Sequence, residues 1–350
     1  MESQRIKKLQ DIVYEYEKNG YFKDASFFLF SSDKAFGGDT CGTADFTTWF
    51  DLASLTKLFT STVILSLIQK GDLKLEDKAG SFFKDVNSGV LRERLCDISI
   101  RQLLTHTSGL IPWFPFYTRQ GSVFQILEEI VCQNPFLEGM HYSDLNFILL
   151  GMIGERVVGK SLPDMMKSKL FTPLSIGDVS YLPKGVCKKR EELIGEGKIA
   201  LSCYGNQIEE EMCRERGFSF SHFRERGFPV IGEANDGNCW YYMKGVSGHA
   251  GLFGPVTALV KLGQFYLKEN NSIFREAMKD WGFERGLGFE MGDKYPEGCG
   301  HTGFTGTSLW ISEKNNRGMA IVTNRLACDK GGKAKDLKEF RKLMHETALY

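Results

Sequence analysis

Paired cysteines and metal-binding patterns are both missing from this sequence. Its nine cysteines include no Cys-x-x-Cys pair, and its six histidines show no metal-ligand spacing with one another or with cysteine. Scattered single cysteines argue against a zinc site and against a disulfide framework. They fit a reducing compartment, where a thiol behaves as a small apolar side chain. We therefore expect neither a metal nor another cofactor.

Net charge and long hydrophobic runs are also missing. Lys plus Arg and Asp plus Glu both total 44, so a nucleic acid or an anionic membrane is not an expected partner. The apolar stretches are too short and too interrupted to span a bilayer. Residues 1–8 contain no apolar segment of the kind that a secretory signal requires. We therefore expect a cytoplasmic protein, or an extracytoplasmic one if a leader has been removed.

The first part of the chain shows clear periodic patterns. Residues 2–18 have the apolar spacing of an amphipathic helix, and residues 25–30 read as a strand. The glycines at 37–38 predict a turn. Residues 54–70 predict a long buried helix that stops at 71–72.

The rest of the chain is predicted to be helical in the middle and strand-like near its end. Helices are expected over 99–105, 121–133, 143–157, 161–170 and 208–216. Residues 182–228 are charged and lack periodicity, which predicts a long surface excursion that helps to shape the site entrance. Strands are expected over 301–312 and 318–323. A closing helix over 333–348 would place four side chains inward, namely Leu337, Phe340, Leu343 and Met344.

Strand-forming segments thus lie at both ends of the chain, and helices fill the middle. The economical arrangement is an α/β (α+β) fold in which the two ends meet in one antiparallel sheet flanked by terminal helices. We expect residues 1–70 and 241–350 to form this α/β lobe and residues 71–240 to form a mainly helical lobe. The active site would lie in the cleft between the lobes.

The first of three short motifs is Ser54-Leu55-Thr56-Lys57. The Ser-x-x-Lys pattern also occurs at Ser31 and Ser81, but only Ser54 opens a long apolar run. Positions i and i+3 share one helix face, so Lys57 would lie beside the Ser54 hydroxyl. Burial and the helix N-terminus would lower the pKa of the lysine and make it a base for a serine nucleophile. The alternative is an N-cap serine followed by an ordinary lysine.

The second motif is Tyr142-Ser143-Asp144, which reads as a loop that enters a helix. Tyr142 could project into the cleft, where a cationic Lys57 would lower the pKa of its phenol and make it a proton shuttle. The alternative is a tyrosine that simply packs on the lobe boundary.

The third motif is His301-Thr302-Gly303, followed by Phe304. Gly303 would let a substrate approach the strand closely, and an extended acyl chain could pair with its edge. The backbone N–H of Phe304 could join that of Ser54 as an oxyanion hole. The alternative is a glycine-bulged strand with a surface histidine.

Taken together, the three motifs resemble those of the penicillin-recognising serine hydrolases. The similarity is greatest to the branch that contains class C β-lactamases, D-Ala-D-Ala carboxypeptidases and esterases. Residues 103–110, 245–253, 309–311 and 323–325 also resemble segments of that branch, and the resemblance spans about residues 20–345.

This resemblance implies a β-lactamase/transpeptidase-like fold and a role for each motif residue. Ser54 would be the acylated nucleophile, and Lys57 and Tyr142 would form the proton relay. The substrate and oxyanion side would comprise Asp144, His301, Thr302, Gly303 and Phe304. Class C β-lactamases carry asparagine where this chain has Asp144 and lysine where it has His301. Both departures argue against efficient β-lactam hydrolysis and favour a peptidase or an esterase.

Two functions remain open. The first is a serine hydrolase that forms an acyl-enzyme on Ser54 with a peptide, amide or ester substrate, as D-Ala-D-Ala carboxypeptidases and esterases do, and that could also bind β-lactams. The second is a catalytically weak or inactive binding protein that keeps the fold, a view motivated by Asp144 and His301. His106 and His249 lie in small-residue loops and are expected to be structural. The residues select neither the leaving group nor the oligomeric state.

Overall fold

The computed structural model describes residues 2–86, 89–270, 272–328 and 334–350. Its described strands are β1 (Ala25–Phe30), β2 (Ala35–Cys41), β3 (Phe50–Asp51), β4 (Ser180–Tyr181), β5 (Leu201–Tyr204), β6 (Pro229–Ile231), β7 (Leu252–Gly254), β8 (Cys299–Thr302), β9 (Ser308–Ser312) and β10 (Arg317–Thr323). The largest sheet has the order β2-β1-β10-β9-β8, and all its neighbouring strands are antiparallel. The register of β1 against β10 runs from Ala25 opposite Thr323 to Phe30 opposite Gly318. The two ends of the chain therefore meet in one antiparallel sheet, as predicted.

The described helices surround this sheet and fill the middle of the chain. They are α1 (Glu2–Lys18), α2 (Thr56–Lys70), α3 (Gly89–Cys96), α4 (Ile100–Leu104), α5 (Val123–Gln133), α6 (Asp144–Val158), α7 (Leu162–Met166), α8 (Lys188–Gly195), α9 (Gln207–Glu215), α10 (Val256–Lys268), α11 (Ser272–Ala277) and α12 (Lys338–Leu349). Every helix that the sequence predicted is present within a few residues of its expected ends. The predicted fold class is confirmed.

The five-stranded sheet is covered on both faces because its side chains alternate between two apolar clusters. On one face Phe27 and Trp310 pack with Phe340 of α12 and with residues of α1. On the other face Leu309 packs with Leu262 of α10. The sequence did not predict helix α10. The terminal helices flank the sheet as expected, and α10 completes the sandwich.

Two predictions near the sheet are wrong. Residues 37–38 do not form a turn but lie inside β2, and the hairpin turn is closed by the Ser31 N–H, which donates to the Lys34 carbonyl over 2.8 Å. A Cβ at Gly38 would lie 1.9 Å from the Phe27 carbonyl oxygen, so this glycine permits close strand pairing. The single strand expected over 301–312 is two strands, β8 and β9, because the Gly303 N–H donates to the Thr307 carbonyl and turns the chain back.

The end of the chain also differs in detail. The closing helix begins at Lys338, and residue 333, where it was expected to begin, lies outside the described residues. Leu337, Phe340 and Met344 are buried as predicted, but Leu343 is 42% exposed. The excursion over residues 182–228 is folded, since it contains α8, β5 and α9.

Helix α2 is the central element of the helical packing. Eleven of its 15 residues are buried, which is typical of a helix that packs against neighbours on most sides. It ends at Gly71, whose φ of +80° gives the left-handed conformation that glycine adopts without strain. The division into two lobes stays a prediction. No helix in the described part of the chain combines the length and the apolar character that a bilayer crossing needs.

The loop over residues 245–251 approaches α6 so closely that only glycine fits. A Cβ at Gly248 would lie 2.1 Å from the Phe147 carbonyl oxygen and 3.1 Å from the Gly151 Cα atom. The Gly248 carbonyl also accepts a hydrogen bond from Thr60 Oγ1 of α2 over 2.7 Å. This contact holds the loop, α2 and α6 together.

We therefore expect Gly248→Ala to lower the free energy of unfolding by about 1–3 kcal/mol, because rigid backbone atoms would have to move apart. Urea unfolding followed by circular dichroism measures the change. Gly177→Ala is the matched control, since a Cβ there meets no atom within 4 Å. Equal unfolding midpoints for the two variants would contradict this view of the loop.

Candidate active site

Ser54 is held on a strained turn at the N-terminal end of α2. The preceding residue, Ala53, has a φ of +47°, which is unusual for a residue other than glycine. The Asp51 carboxylate stabilises this turn by accepting the Ala53 N–H over 2.9 Å, and its other oxygen accepts the Asn235 N–H over 2.7 Å. Burial raises the pKa of Asp51 to about 6, against the effect of those two N–H groups. The turn places Ser54 at the wall of a cavity.

Lys57 lies directly beside Ser54, as the helical spacing predicted. Its side chain is buried, and Nζ donates to Ser54 Oγ over 2.9 Å and to the His249 carbonyl over 3.2 Å. Nζ also lies 2.7 Å from Asp144 Oδ1, in an ion pair. Three oxygen atoms thus surround an ammonium group that has no contact with solvent.

The predicted lowering of the Lys57 pKa is wrong. Burial does act in that direction because it disfavours the cation. The Asp144 carboxylate and Tyr142 outweigh it, and the pKa of Lys57 lies above its ordinary value. Lys57 is therefore an ammonium in the resting site and has no lone pair with which to accept a proton.

Tyr142 lies on the other side of this lysine. Lys57 Nζ is 4.9 Å from the centre of the Tyr142 ring, and the His106 ring is 4.5 Å from it. Burial raises the pKa of Tyr142, and the nearby Lys57 cation only partly offsets that effect. The prediction of a lowered pKa is wrong for this residue too. Tyr142 is a neutral phenol and can donate a proton.

The third motif occupies the end of β8 and the turn that follows. Thr302, Gly303 and Phe304 line the same cavity as Ser54 and Tyr142. His301 is buried and is not one of the cavity-lining residues; its ring lies 5.9 Å from that of Tyr142. The expectation that His301 lines the substrate side is therefore not met, and neither is the alternative of a surface histidine.

His301 is a neutral side chain. Its Nδ1 lies 2.8 Å from the Thr302 carbonyl oxygen, so Nδ1 carries the ring proton. Burial lowers the pKa of His301 to about 4, helped by the Lys57 and Arg285 cations and opposed by the Glu290 carboxylate. The ring cannot supply the positive charge that a lysine would give at this position.

Two arginines that also line the cavity hold the turn after β8. Arg341 Nη2 donates to the Gly303 carbonyl over 2.7 Å, and Arg325 Nε donates to the Phe304 carbonyl over 2.6 Å. The backbone N–H groups of Ser54 and Phe304 have no acceptor among the residues that the structure describes. Two free N–H donors at one cavity wall are the arrangement that an oxyanion hole requires.

The cavity has a volume of about 480 Å³. The folded excursion forms one of its walls with residues 203–209, so the prediction that this segment shapes the entrance is confirmed. Several polar or aromatic side chains that line it were not selected from the sequence, namely Trp113, Asn206, Glu209, Asn235, Asp236 and Arg285. Isolated residues of these types carry no pattern that the chain alone would reveal.

Arg285 changes the charge balance of the site. It lies 3.3 Å from Glu290 and 5.6 Å from the centre of the Tyr142 ring, and it follows two residues with positive φ, Phe283 (+60°) and Glu284 (+57°). Strained backbone of this kind is typical of segments that place a functional side chain. The positive charge that His301 does not supply is thus present on a different loop.

His106 and His249 connect loops around the site. His106 Nδ1 accepts the Ser143 N–H over 3.0 Å, which positions the second motif. His249 lies between Ser247 Oγ, 2.7 Å from Nδ1, and Asp236 Oδ1, 2.9 Å from Nε2. Neither ring contacts Ser54, and these bonds fit the structural role expected for both histidines.

Three side chains could in principle hold a metal ion, because ligand atoms of Asp144, Asp236 and His249 lie within 4.8 Å of one another. The Lys57 ammonium already pairs with Asp144, and His249 already bonds Asp236. A metal cation there would face this ammonium across a buried site. We assign no metal to these residues.

Comparison with known proteins places this chain in one family. A family model described as Beta-lactamase matches residues 32–340. The chain is 28% identical over 314 residues to an N-acetylmuramyl-L-alanine amidase of Bacillus subtilis (strain 168), which covers 79% of this chain and 68% of the relative. The chain belongs to the beta-lactamase family, and the prediction that it is a hydrolase of this family is confirmed.

Solved structures share the whole fold. A D-amino acid amidase from Ochrobactrum anthropi SV3, complexed with D-phenylalanine, has a TM-score of 0.72, 18% identity and coverage of 98% of both chains. A class C beta lactamase has a TM-score of 0.69 and 15% identity, and the match covers 99% of this chain and 98% of that chain. These likenesses support the β-lactamase/transpeptidase-like fold predicted from the motifs.

We expect His301 to become charged only when the pH falls to about 4, since burial holds its pKa near that value. In NMR spectra of the protein with isotope-labelled histidine, the His301 resonance would keep a constant shift through neutral pH. His301→Gln identifies it by its loss. A His301 midpoint near 6.5, the ordinary value for an unburied imidazole, would contradict the burial argument.

Proposed function

We propose that this protein is a serine hydrolase that cleaves an amide or peptide bond through an acyl-enzyme on Ser54. The observation that carries the proposal is the 2.9 Å contact between Lys57 Nζ and Ser54 Oγ in a site where Lys57 is buried. A buried lysine is costly unless its charge is used or compensated. Neither of the other two Ser-x-x-Lys serines, Ser31 and Ser81, bonds its lysine side chain in the described structure.

In the proposed reaction Ser54 Oγ loses its proton and attacks the substrate carbonyl carbon. The developing oxyanion would lie between the free N–H groups of Ser54 and Phe304. Tyr142 is a neutral phenol at the cavity wall and would donate a proton to the leaving nitrogen. The acyl-enzyme would then be released by water, with the same groups acting in reverse.

An amide or peptide substrate is supported by two observations. The B. subtilis relative bears the name of an amidase. Arg285 adds a cation to the cavity wall near Tyr142, and a guanidinium is well suited to a substrate carboxylate, as a D-Ala-D-Ala carboxypeptidase would need. An ester substrate would use the same nucleophile, so esterase activity is a second outcome to be measured.

The alternative of an inactive binding protein rests on Asp144 and His301. The structure weakens its basis, because Arg285 supplies a cation that His301 lacks and because Ser54, Lys57 and Tyr142 lie together at one cavity. β-Lactams would be ligands or slow substrates under the proposal. Turnover experiments distinguish the two functions.

We expect Ser54→Ala to reduce hydrolysis of an activated ester such as p-nitrophenyl acetate by about 10³-fold or more, because the nucleophile is lost. Intact-protein mass spectrometry after exposure to a penicillin would show a drug-sized adduct on the unsubstituted protein and none on this variant. Ser81→Ala is the matched control, since it changes the serine of another Ser-x-x-Lys pattern and is exposed.

Each outcome of that experiment is informative. Drug hydrolysis without an adduct, lost in Ser54→Ala, would indicate β-lactamase turnover. Ester turnover without any reaction with the penicillin would favour the esterase. Equal ester hydrolysis by Ser54→Ala and Ser81→Ala would refute the nucleophile.

We expect Tyr142→Phe to lower kcat for an amide substrate by about 10²–10⁴-fold, the usual contribution of general acid–base catalysis. An activated ester needs little protonation of its leaving group, so its hydrolysis should fall much less. Tyr242→Phe is the control, because Tyr242 donates to the Gly121 carbonyl away from the cavity. An equal fall in kcat on both substrates would indicate that Tyr142 only packs in the site and does not transfer a proton.

A further inference from the structure

The ion pair between Lys57 and Asp144 raises a question about proton transfer. Ser54 must lose its proton to attack, yet its hydrogen-bond partner Lys57 is already an ammonium. The 2.7 Å contact to Asp144 Oδ1 keeps it so. The lysine can accept the serine proton only if it gives up one of its own at the same time.

Several groups near Lys57 can be considered as the acceptor of that proton. Tyr142 is a neutral phenol and holds its own proton. His249 contacts Lys57 only through its main-chain carbonyl, and its ring nitrogens are used by Ser247 and Asp236. Asp144 remains, as a carboxylate in direct contact with Lys57 Nζ.

We propose that Asp144 is the terminal proton acceptor of the site and acts through Lys57, in a relay from Ser54 to Lys57 to Asp144. The proposal deepens the proposed function and rests on it. It replaces the role in substrate binding that the motif comparison implied for Asp144. The carboxylate thus serves the lysine in the way that the aspartate of a Ser-His-Asp triad serves its histidine, with the added step of proton uptake.

The step balances in atoms and charge. The Ser54 O–H bond breaks and an N–H bond forms on Lys57 Nζ, while another Lys57 N–H bond breaks and an O–H bond forms on Asp144. Ser54 Oγ bonds to the substrate carbonyl carbon, and the carbonyl electron pair moves to its oxygen. The negative charge of Asp144 is thereby transferred to the oxyanion, and Lys57 remains an ammonium throughout. Expulsion of the leaving nitrogen, protonated by Tyr142, returns the oxyanion to a carbonyl. Reprotonation of Tyr142 from Asp144 through Lys57 resets the relay.

The fold places each member of the relay on a rigid mount. Asp144 is the first residue of α6 and its N–H donates to the Pro112 carbonyl over 3.1 Å, so the carboxylate is fixed at a helix N-terminus. Lys57 lies in the first turn of α2, where its ammonium group contacts Ser54 Oγ, the His249 carbonyl oxygen and Asp144 Oδ1. The Asp144 side chain is 18% exposed and that of Lys57 is not exposed at all. Proton movement between them therefore needs no large rearrangement.

An asparagine at this position, as in class C β-lactamases, could neither accept a proton nor hold a charge on the lysine. With asparagine, burial would act on Lys57 without the opposing Asp144 carboxylate, and the pKa of Lys57 would fall. The lysine itself would then be the base, and the reaction would require its deprotonation. Aspartate and asparagine at position 144 thus predict different dependences of the Ser54 acylation rate on pH.

Other charged or titratable groups face this pair from every surrounding element, and they stay in place in the test variants. They are Tyr142 on the loop before α6, Asp236 and His249 on the loops opposite, His106 after α4, and Arg285, Glu290 and His301 on the side of β8. Their contributions are common to all the variants and cancel in the comparison.

The test compares Asp144→Asn with Asp144→Glu in the full chain. The rate of Ser54 acylation by p-nitrophenyl acetate is measured from acidic to alkaline pH. We expect the acid limb of the Asp144→Asn profile to move up by about one pH unit or more, because Lys57 must now lose its own proton. Asp144→Glu keeps a carboxylate and should keep the original limb with a lower maximum. A uniform loss in Asp144→Asn with an unmoved limb, or an effect on KM alone, would overturn the relay.

A second measurement does not depend on activity. NMR of the protein with isotope-labelled lysine follows the Lys57 Cε resonance, which Lys57→Met identifies. In the unsubstituted protein we expect the Lys57 resonance to keep a constant shift through neutral pH. In Asp144→Asn we expect its titration midpoint to lie at a lower pH than in the unsubstituted protein. Identical behaviour in both would overturn the proposal. If Ser54→Ala left ester hydrolysis intact, the proposed function itself would fail, whatever the Lys57 resonance showed.

Discussion

The buried contact between Lys57 and Asp144 is the interaction on which the site depends. It joins the first turn of α2 to the first residue of α6, and so it fixes the Ser54 turn relative to the second motif. Breaking one member of a buried pair costs about 3–5 kcal/mol, because the partner charge is left uncompensated. Such a pair is retained when it serves a purpose that an apolar contact could not. Here that purpose is to hold a charged lysine against Ser54 Oγ.

The sheet supplies the second constraint. Strand β8 lies at one edge of the five-stranded sheet and ends at Thr302, so the turn after it faces the cavity. The Gly303 carbonyl and the Phe304 N–H belong to one planar trans peptide group and point in opposite directions. The Arg341 bond to that carbonyl therefore leaves the N–H free on the other side. Arg341 of α12 thus orients the Phe304 N–H at the cavity, although Arg341 lies outside the three motifs.

Local patterns predicted much of this molecule. The i to i+3 spacing placed Lys57 beside Ser54, and the apolar period gave helices close to those seen. The turn predicted from the two glycines at 37–38 was wrong, because adjacent glycines occur both in turns and in closely paired strands. Helix α10 was not predicted, because no element was assigned to its residues from the sequence. The signs of the pKa shifts for Lys57 and Tyr142 were wrong. Asp144 and Tyr142 outweigh the effect of burial on Lys57, and burial outweighs the effect of the Lys57 cation on Tyr142.

The charges of the site have been rearranged relative to the class C pattern, and the two departures are linked. Aspartate for asparagine at Asp144 adds a negative charge beside Lys57, while histidine for lysine at His301 removes a positive one. Arg285 returns a cation to the cavity wall, on a strained loop that no motif marks. Glu290 pairs with both Arg285 and Lys294 and also faces His301, whose burial keeps that ring neutral. The cationic side chains on this side of the cavity are therefore Arg285 and Lys294. The cavity beside Ser54 therefore has a charge distribution that differs from the class C pattern on both sides of Tyr142.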